Sequence, residues 1–243
     1  MTRVVVWGAT GRTGGVVRVL AEERGVYHGG VADTADGDVV EPGEADALVE
    51  SADAVVDFST PEGTLRAAET AARTETPLVT GTTALTDEAV EAVEKAADAV
   101  AVVRSSNYAV GVNVFWSLVE SLAHHLPGAD YEVTETHHAG KRDAPSGTAL
   151  ATVERLTREL GERDVVHGRQ GEAPRGDEIG VHSRRAGDVV GQHEVLAADG
   201  AESLRLVHEA SDRRAFAEGA LDAAEYAVDS PPGLYDMDDV LGL

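Results

Sequence analysis

Cysteine is absent from this chain of 243 residues. A disulfide framework, a thiolate nucleophile and a cysteine-based metal site are therefore excluded. The absence also removes semialdehyde dehydrogenases and acyl-phosphate reductases, which bind dinucleotides but need a nucleophilic cysteine. The apolar share of 42% is nevertheless ample for a packed core, so we expect one large folded domain or two modest ones.

Lysine is nearly absent as well, because only Lys95 and Lys141 accompany eighteen arginines. Aspartate and glutamate number 44, and the formal net charge is −24. These acids are spread along the whole chain, which is typical of a solvated surface. Such a surface repels nucleic acid, so no nucleic-acid partner is expected. An acid-rich, lysine-poor surface also suits a halophilic protein that works in concentrated salt.

Long apolar runs are missing too, since no segment approaches the roughly eighteen consecutive apolar residues of a membrane span. The chain passes from Met1 almost directly into a strand-like VVVW segment, without the small-residue cleavage site of a secretory signal. We therefore expect a soluble, cytoplasmic protein with no membrane partner.

Short β-branched runs alternate with helical stretches over the first hundred residues, as in VVVWG, AVVDFS, PLVTG and AVAVVRS. Strands buried on both faces and separated by helices predict an α/β fold, a Rossmann-like, doubly wound parallel sheet. Later strand candidates, IGVHSRR, VVGQHEVLA and SLRLVHEA, indicate a second, α+β domain. We place the first domain at residues 1–109 with 214–243 and the second at 110–213. In the last strand candidate, we expect His208 to be a core residue beside Leu204 and Leu206.

A glycine-rich loop directly follows the first strand, with the sequence Gly8-Ala9-Thr10-Gly11-Arg12-Thr13-Gly14. Glycines let the backbone approach a pyrophosphate, and amide N–H groups at the start of the next helix attract its negative charge. Asp33 lies 19 residues beyond Gly14, near the end of the second strand, where an acid would bond the ribose hydroxyls. The sequence therefore predicts a dinucleotide site at Gly8, Ala9, Thr10, Gly11, Arg12, Thr13 and Asp33.

Two later loops follow strands of the same predicted sheet. They are Gly81-Thr82-Thr83 and Ser105-Ser106-Asn107-Tyr108. Ligands of open α/β sheets bind beyond the carboxyl ends of the strands, so we expect both loops to contact the cofactor. Thr34 follows Asp33 and offers no cation to a 2′-phosphate, which slightly favours NADH over NADPH. Arg12 could still reach such a phosphate.

Two histidines and a lysine precede a Pro-Ser-Gly-Thr turn in the segment HHAGKRDAPSGTA, residues 137–149. An imidazole titrates near pH ~6.5 and can supply a proton at neutral pH. Neighbouring residues of an extended segment face opposite ways, so His138 is expected to hold substrate rather than share the task of His137. The amide N–H groups of Gly147 and Thr148, at a predicted helix start, suit a carboxylate.

Two other kinds of site are not expected. A short-chain reductase needs a tyrosine four residues before a lysine, but those positions hold Glu91 and His137. A metal site is not expected because adjacent histidines cannot easily ligate one ion and no third ligand lies at a suitable spacing. Asp143 is expected to cap or orient the loop.

The segment THHAGKRDAPSGTA, together with NYAVGVNVF, DFSTPEGTL, RAGDVVG, HEASDR and GLYDMDDVLGL, strongly resembles the 4-hydroxy-tetrahydrodipicolinate reductases. These enzymes, also called dihydrodipicolinate reductases, belong to the diaminopimelate route to lysine. The resemblance covers essentially the whole chain. The chain departs from the family pattern at Tyr108, where phenylalanine is common, at Asp33, where glutamate is common, and in shortened loops around 34–50. These departures concern cofactor preference.

The resemblance implies an enzyme that reduces a cyclic conjugated imine with two carboxylates, using NADH or NADPH. It assigns His137 as the proton donor and Lys141 as the second catalytic residue, whose positive charge would stabilise negative charge on the substrate and transition state. It also implies a homotetramer joined through the sheet of the second domain. Two alternatives remain open: a dinucleotide-binding sensor without catalysis, and a dehydrogenase acting on a different imine or amino acid.

The acidic surface predicts that stability depends on salt. In dilute buffer the negative charges repel one another, whereas at molar ionic strength the Debye length is only about 3 Å and the repulsion is largely screened. We expect the melting temperature to rise when KCl is raised from a low to a molar concentration. Thermal unfolding followed by circular dichroism measures this, and an unchanged melting curve would contradict the prediction.

Overall fold

Seven parallel strands form the sheet of the first of two units into which the chain divides. A computed structural model describes residues 2–243. The first unit extends to Val110 and resumes with Arg213–Leu243, and the second unit is Gly111–Asp212.

The strands of the first unit are β1 (Val4–Trp7), β2 (Tyr27–Val31), β3 (Val39–Val40), β4 (Ala54–Asp57), β5 (Leu78–Thr80), β6 (Ala101–Arg104) and β12 (Gly233–Tyr235). Its helices are α1 (Arg12–Arg24), α2 (Asp46–Glu50), α3 (Pro61–Thr74), α4 (Asp87–Ala97), α7 (Arg214–Val228) and α8 (Met237–Leu241), with a turn of 3₁₀ helix at Pro42–Glu44.

The strand order explains where a ligand can bind. The strands lie side by side in the order β12-β6-β5-β4-β1-β2-β3. From β1 the chain builds the sheet first towards β3 and then, starting with β4, in the opposite direction. The direction in which strands are added therefore reverses between β1 and β4. Ligands of such sheets bind at this switch point, beyond the carboxyl ends of the strands. The predicted doubly wound parallel sheet is confirmed.

Alternate side chains of β1 enter two separate cores. Val4 and Val6 pack in one core with Leu20 of α1 and with apolar residues of α7. Val5 and Trp7 pack in the other with residues of α3 and α4. Both faces of the sheet are thus covered by helices, which is why its strands are nearly continuous apolar runs.

The C-terminal tail adds the last strand to this sheet. β12 pairs in parallel with β6, and Met237 at the start of α8 is buried in the first core. Asp236 caps α8, since its side chain accepts from the amides of Asp238 and Asp239. The tail therefore completes one edge of the first sheet.

The second unit consists of two helices and a mixed five-stranded sheet. In chain order its elements are α5 (Val110–His125), β7 (Asp130–His137), α6 (Gly147–Leu160), β8 (Val165–His167), β9 (Ile179–Arg185), β10 (Gly191–Asp199) and β11 (Glu202–Ala210). The strands lie in the order β11-β10-β7-β9-β8. β10 is antiparallel to β7 and β11, whereas β9 is parallel to β7 and β8.

One face of the second sheet is buried together with apolar faces of its two helices. Tyr131 of β7 and Leu156 of α6 are fully buried. The indole nitrogen of Trp116 on α5 donates to Thr152 Oγ1 on α6 at 3.0 Å, which joins the two helices. Within residues 2–243, no helix combines the length and the apolar character that crossing a membrane requires.

The structure differs from the sequence-based expectations in two respects. β3, α2 and β8 are not foreseen, because they have only two, five and three residues and show no periodic pattern. The expected core position of His208 is wrong. Leu204 on the same strand is 52% exposed and His208 is only half-buried, because β11 is an edge strand of the sheet.

Candidate functional site

The glycine-rich loop after β1 has a backbone that larger residues cannot adopt. Gly8 has a φ of +82°, and a Cβ there would lie 2.6 Å from the carbonyl oxygen of Phe58. A Cβ on Gly14 would collide with the carbonyl oxygen of Gly8. The loop therefore packs tightly against the turn after β4 and against the start of α1. It presents backbone rather than side chains at the switch point of the sheet.

The start of α1 fits the pyrophosphate of a dinucleotide. Gly11 is the N-cap, and no side chain caps the helix. The first amide N–H groups of a helix have no partner within the helix, so those of Arg12 and Thr13 are suited to a phosphate. Thr10, Gly11 and Arg12 are exposed, so an anion can reach them. The glycine-rich loop and the uncapped start of α1 are the features that binding a dinucleotide pyrophosphate requires.

The other residues predicted to contact the cofactor lie at the ends of neighbouring strands. Asp33 is exposed and follows the end of β2 by two residues. Gly81, Thr82 and Thr83 follow β5, and Thr83 is exposed. The parallel sheet thus brings the loops after β1, β2 and β5 to the same edge, as the sequence predicts.

The loop after β6 uses its side chains internally. Tyr108 is 1% exposed, and its hydroxyl donates to the carbonyl oxygens of Thr80 and Val103, at 2.8 and 2.9 Å. Ser105 Oγ donates to the carbonyl oxygen of Asn107 at 2.9 Å, whereas Ser106 is exposed. Contact of Tyr108 with a nucleotide would therefore involve the backbone of the loop and not the phenol.

A buried carboxylate ties the loops after β4 and β5 together. Asp57 is fully buried, and its oxygens accept from the hydroxyls of Ser59, Thr64, Thr80 and Thr82 at 2.5, 2.6, 2.8 and 3.1 Å. Burial raises the pKa of Asp57, and these four hydrogen bonds oppose the rise. Asp57 therefore fixes Thr82, one of the predicted cofactor residues, relative to the sheet.

In the second unit, His137 is the last residue of β7 and contacts a buried carboxylate. Its Nδ1 lies 2.5 Å from Oε2 of Glu135, which is fully buried. Arg185 on β9 donates to both oxygens of Glu135 at 2.8 Å. Burial alone would raise the pKa of Glu135, but the bonds from Arg185 and His137 outweigh it and lower the pKa. An ionised carboxylate only accepts, so Nδ1 of His137 carries a proton.

His193 connects His137 to the start of α6. Its ring on β10 lies edge-on to the ring of His137, with centroids 5.2 Å apart, and its Nε2 is 3.2 Å from Ser146 Oγ. Ser146 is the N-cap of α6 and accepts from the amide of Ala149. Burial lowers the pKa of His193 to about 3, so this ring is neutral at neutral pH. The helix start at Gly147 therefore lies in the same cluster as His137.

The loop between β7 and α6 places the predicted ammonium. Lys141 Nζ lies 2.9 Å from Oδ2 of Asp143, and Arg185 donates to the carbonyl oxygen of Asp143. These contacts give Asp143 the orienting position that the sequence predicts for it. The ring of His138 lies beside Gly140, because a Cβ added to Gly140 would be 3.4 Å from Nδ1 of His138. His137 has a different glycine neighbour, since a Cβ added to Gly191 would be 3.2 Å from its Nε2.

Comparisons with known proteins show the family of the chain. The family model described as "Dihydrodipicolinate reductase, N-terminus" matches residues 2–108, and "Dihydrodipicolinate reductase, C-terminus" matches residues 111–241. The 4-hydroxy-tetrahydrodipicolinate reductase of Natronomonas pharaonis is 48% identical over 98% of this chain and 99% of the relative. That of Methanoregula boonei is 42% identical over 100% and 99%. The chain belongs to the dihydrodipicolinate reductase family.

The fold of this reductase matches a solved structure as well. The dipicolinate-bound dihydrodipicolinate reductase from Paenisporosarcina sp. TG-14 superposes with a TM-score of 0.79 at 20% identity, covering 97% of each chain. The family models and the relatives confirm the resemblance drawn from the sequence. As a family member, the chain is an NAD(P)H-dependent oxidoreductase of lysine biosynthesis, and its N-terminal domain is the dinucleotide-binding domain.

Residues of the reductase site that the sequence did not reveal are Asp57, Glu135, Ser146, Arg185 and His193. Glu135 carries a local signal, because residues two apart on a strand share a face and Glu135 precedes His137 by two. Ser146 carries one as well, because a serine directly before a predicted helix start is a typical N-cap. Arg185 and His193 reach His137 through strand pairing, and Asp57 meets Thr80 and Thr82 through the neighbouring strand, so no spacing in the chain indicates those contacts.

Replacement of Asp57 tests its role as a tie between loops. Asp57→Ala removes the acceptor of one serine and three threonine hydroxyls, so we expect a loss of roughly 2 to 3 kcal/mol in the free energy of unfolding and weaker nucleotide binding. Denaturant unfolding and nucleotide fluorescence measure the two effects. Asp46→Ala, which removes an exposed partner of Arg73, is the control and should lose much less. Equal losses in both variants would contradict the prediction.

Proposed function

We propose that this chain reduces 4-hydroxy-tetrahydrodipicolinate to tetrahydrodipicolinate with NADH or NADPH, the reaction of its family. The 4-hydroxyl group leaves as water, which gives the conjugated imine that accepts the hydride and the proton. In this proposal, residues 1–109 with 214–243 bind the dinucleotide and residues 110–213 bind the substrate. The observation that carries the proposal is the cluster in the second unit, where His193 links the ring of His137 to the N-cap of α6.

The dinucleotide, when bound, supplies a hydride from its reduced nicotinamide. The chain holds its pyrophosphate at residues 8–13 and the start of α1, and Asp33 bonds the adenosine ribose. Loops 81–83 and 105–108 complete the cofactor site. Because Thr34 offers no positive charge, NADH is slightly preferred, and the exposed Arg12 remains available to the 2′-phosphate of NADPH.

In the second unit, imidazole and ammonium have different tasks. His137 gives a proton to the substrate carbon next to the one that receives the hydride, so one N–H bond breaks and one C–H bond forms. Lys141 stabilises the negative charge of the substrate. His138 and the amides of Gly147 and Thr148 hold the two carboxylates, since the first amides of a helix are suited to anions.

The edge strand of the second sheet supports a homotetramer. Leu204 and Val207 lie on opposite faces of β11 and are 52% and 51% exposed, so the strand offers apolar side chains to another copy of the chain. We propose that the enzyme works as a cytoplasmic homotetramer on a small dicarboxylate, without a nucleic-acid or membrane partner.

A coupled assay in molar KCl tests the reaction. Pyruvate and aspartate semialdehyde are condensed by a synthase, and oxidation of NADH and of NADPH is followed separately by absorbance. We expect both to be oxidised, with NADH somewhat faster. Nucleotide binding without oxidation of either would instead indicate a sensor, and oxidation only with an acyclic imine would indicate a different dehydrogenase.

Removal of the proposed proton donor is a sharper test. His137→Gln keeps a polar side chain but cannot supply a proton at neutral pH, so we expect kcat to fall about 10²-fold or more with little change in nucleotide affinity. His124→Gln is the matched control, because His124 is 70% exposed at the end of α5 and should retain full turnover. Wild-type turnover in His137→Gln would mean that the proton comes from another group.

The two lysines of the chain form a matched pair for testing the proposed ammonium. Lys141→Met removes the charge next to the substrate carboxylates, and we expect KM for the substrate to rise about 10-fold or more, with KM for NADH nearly unchanged. Lys95→Met, on the exposed face of α4, should behave as the wild type. An equal rise of both KM values in Lys141→Met would argue against a role in substrate binding.

A further inference from the structure

We propose that Glu135 is a positioning residue for the proton donor. Held by Arg185, its carboxylate fixes the tautomer and ring orientation of His137, so that Nε2 is the nitrogen that releases the proton. This inference rests on the proposed function, because it takes His137 as the donor, and it names the groups that prepare His137 for that task.

The geometry leaves the carboxylate little freedom. Glu135 and His137 are two residues apart on β7, and their side chains therefore share a face of the strand. His137 Nδ1 contacts Oε2 of Glu135 at 2.5 Å. Arg185 donates to Oε1 and to Oε2, each at 2.8 Å, so both oxygens are occupied. Three hydrogen bonds hold this fully buried carboxylate, two from Arg185 and one from His137. The carboxylate therefore fixes the orientation of the imidazole ring that donates to it.

The bond to Glu135 decides which ring nitrogen reacts. Nδ1 keeps its proton whether the ring is charged or neutral, because it donates to the carboxylate in both states. Nε2 is then the only nitrogen that gains and loses a proton. Gly191 lies beside this nitrogen, and its Cβ position is 3.2 Å from Nε2. The absence of a side chain at Gly191 leaves space at the reacting atom.

The charges around His137 come from every element packed against it. Glu135 lies on its own strand, Arg185 on β9 and His193 on β10, and Lys141 lies in the following loop. Burial lowers the pKa of His137, the Glu135 carboxylate opposes this, and the charges of Lys141 and Arg185 lower the pKa further. His193 is neutral. Glu135 is therefore the group that favours the protonated form of His137 against partial burial and the charges of Lys141 and Arg185.

The proton transfer balances within this arrangement. The Nε2–H bond of the imidazolium breaks as a C–H bond forms on the substrate carbon adjacent to the hydride acceptor. His137 is left neutral with its remaining proton on Nδ1, while Glu135 stays ionised and Arg185 stays protonated. A proton from water then returns to Nε2.

A second glutamate–histidine–arginine cluster on β7 provides an internal comparison. Glu132 lies on the opposite face of the strand, and its Oε2 is 2.6 Å from Nε2 of His182. Arg169 and Arg175 also pair with Glu132. Here the carboxylate engages Nε2, and the side chain of His182 is 36% exposed. This cluster has the same residue types but does not contact the proposed proton donor, so Glu132 is a matched control position.

The tautomer can be measured on the unaltered enzyme. The full-length protein, labelled with ¹⁵N-histidine, is titrated in molar KCl and followed by long-range ¹H–¹⁵N spectra. The His137 signals are identified by their absence from His137→Gln. Above its pKa, we expect His137 to carry its proton on Nδ1 and none on Nε2. A neutral ring with its proton on Nε2 overturns the proposal, and this reading needs no substitution at Glu135.

Two substitutions should move the titration of His137 in opposite directions. Because the imidazolium is the acid, kcat falls as the pH rises through the pKa of His137. Glu135→Gln removes the carboxylate and leaves the cations, so this fall should move to lower pH by about one unit or more. At a pH above the wild-type limb, kcat should then be about tenfold lower. Arg185→Gln leaves the carboxylate without its guanidinium, so the fall should move to higher pH. Nucleotide affinity should be unchanged in both.

The outcomes separate this inference from its alternatives. Glu132→Gln should leave the pH dependence of kcat in place. The proposal is overturned if the fall of kcat with rising pH stays at the same pH in Glu135→Gln and Arg185→Gln, or moves in the same direction in both. A general loss of stability cannot produce opposite shifts. Failure of the proposed function is visible independently, since the wild-type enzyme would then oxidise neither NADH nor NADPH in the coupled assay, whatever the tautomer of His137.

Discussion

A carboxylate removed from water must have each oxygen satisfied, and the loops of both units depend on this constraint. The chain carries 44 acidic residues, yet among residues 2–243 only Asp57 and Glu135 are acids with no exposed surface. Each gathers donors from residues nearby in sequence and from a strand far along the chain. Asp57 binds hydroxyls from α3 and from the end of β5 and the loop after it, and Glu135 binds groups from the ends of β7 and β9. Both therefore lie beside the loops that carry the predicted chemistry.

The two carboxylates are satisfied in different ways, and their pKa values shift in opposite directions as a result. Asp57 receives hydrogen bonds from neutral hydroxyls, which do not outweigh burial, so its pKa is raised. Glu135 receives them from Arg185 and His137, and its pKa is lowered. A neutral network suits a structural tie, because hydroxyls can reorient when the charge changes. An ionised carboxylate next to an imidazole suits proton transfer, because it stabilises the cation that must form.

The sequence predicts the fold well where a pattern is local. β-branched runs mark the strands of the first sheet, and the glycine loop marks the switch point. His137, Lys141 and Gly147 lie in one continuous segment and could be named together. Arg185 and His193 could not, because they reach His137 only through the pairing of β7 with β9 and β10. Which strands become neighbours depends on the folded sheet, and the spacing of residues along the chain does not predict it.

The same dependence on strand pairing links stability to chemistry. Side chains alternate between the faces of a strand, so a slip of one residue between β7 and β10 would move His193 to the other face. Its contacts with the ring of His137 and with Ser146 would then be lost. The start of α6 would no longer be fixed relative to the proton donor. Conditions that weaken the second sheet, including low salt for a chain of net charge −24, would therefore also impair the geometry of the site.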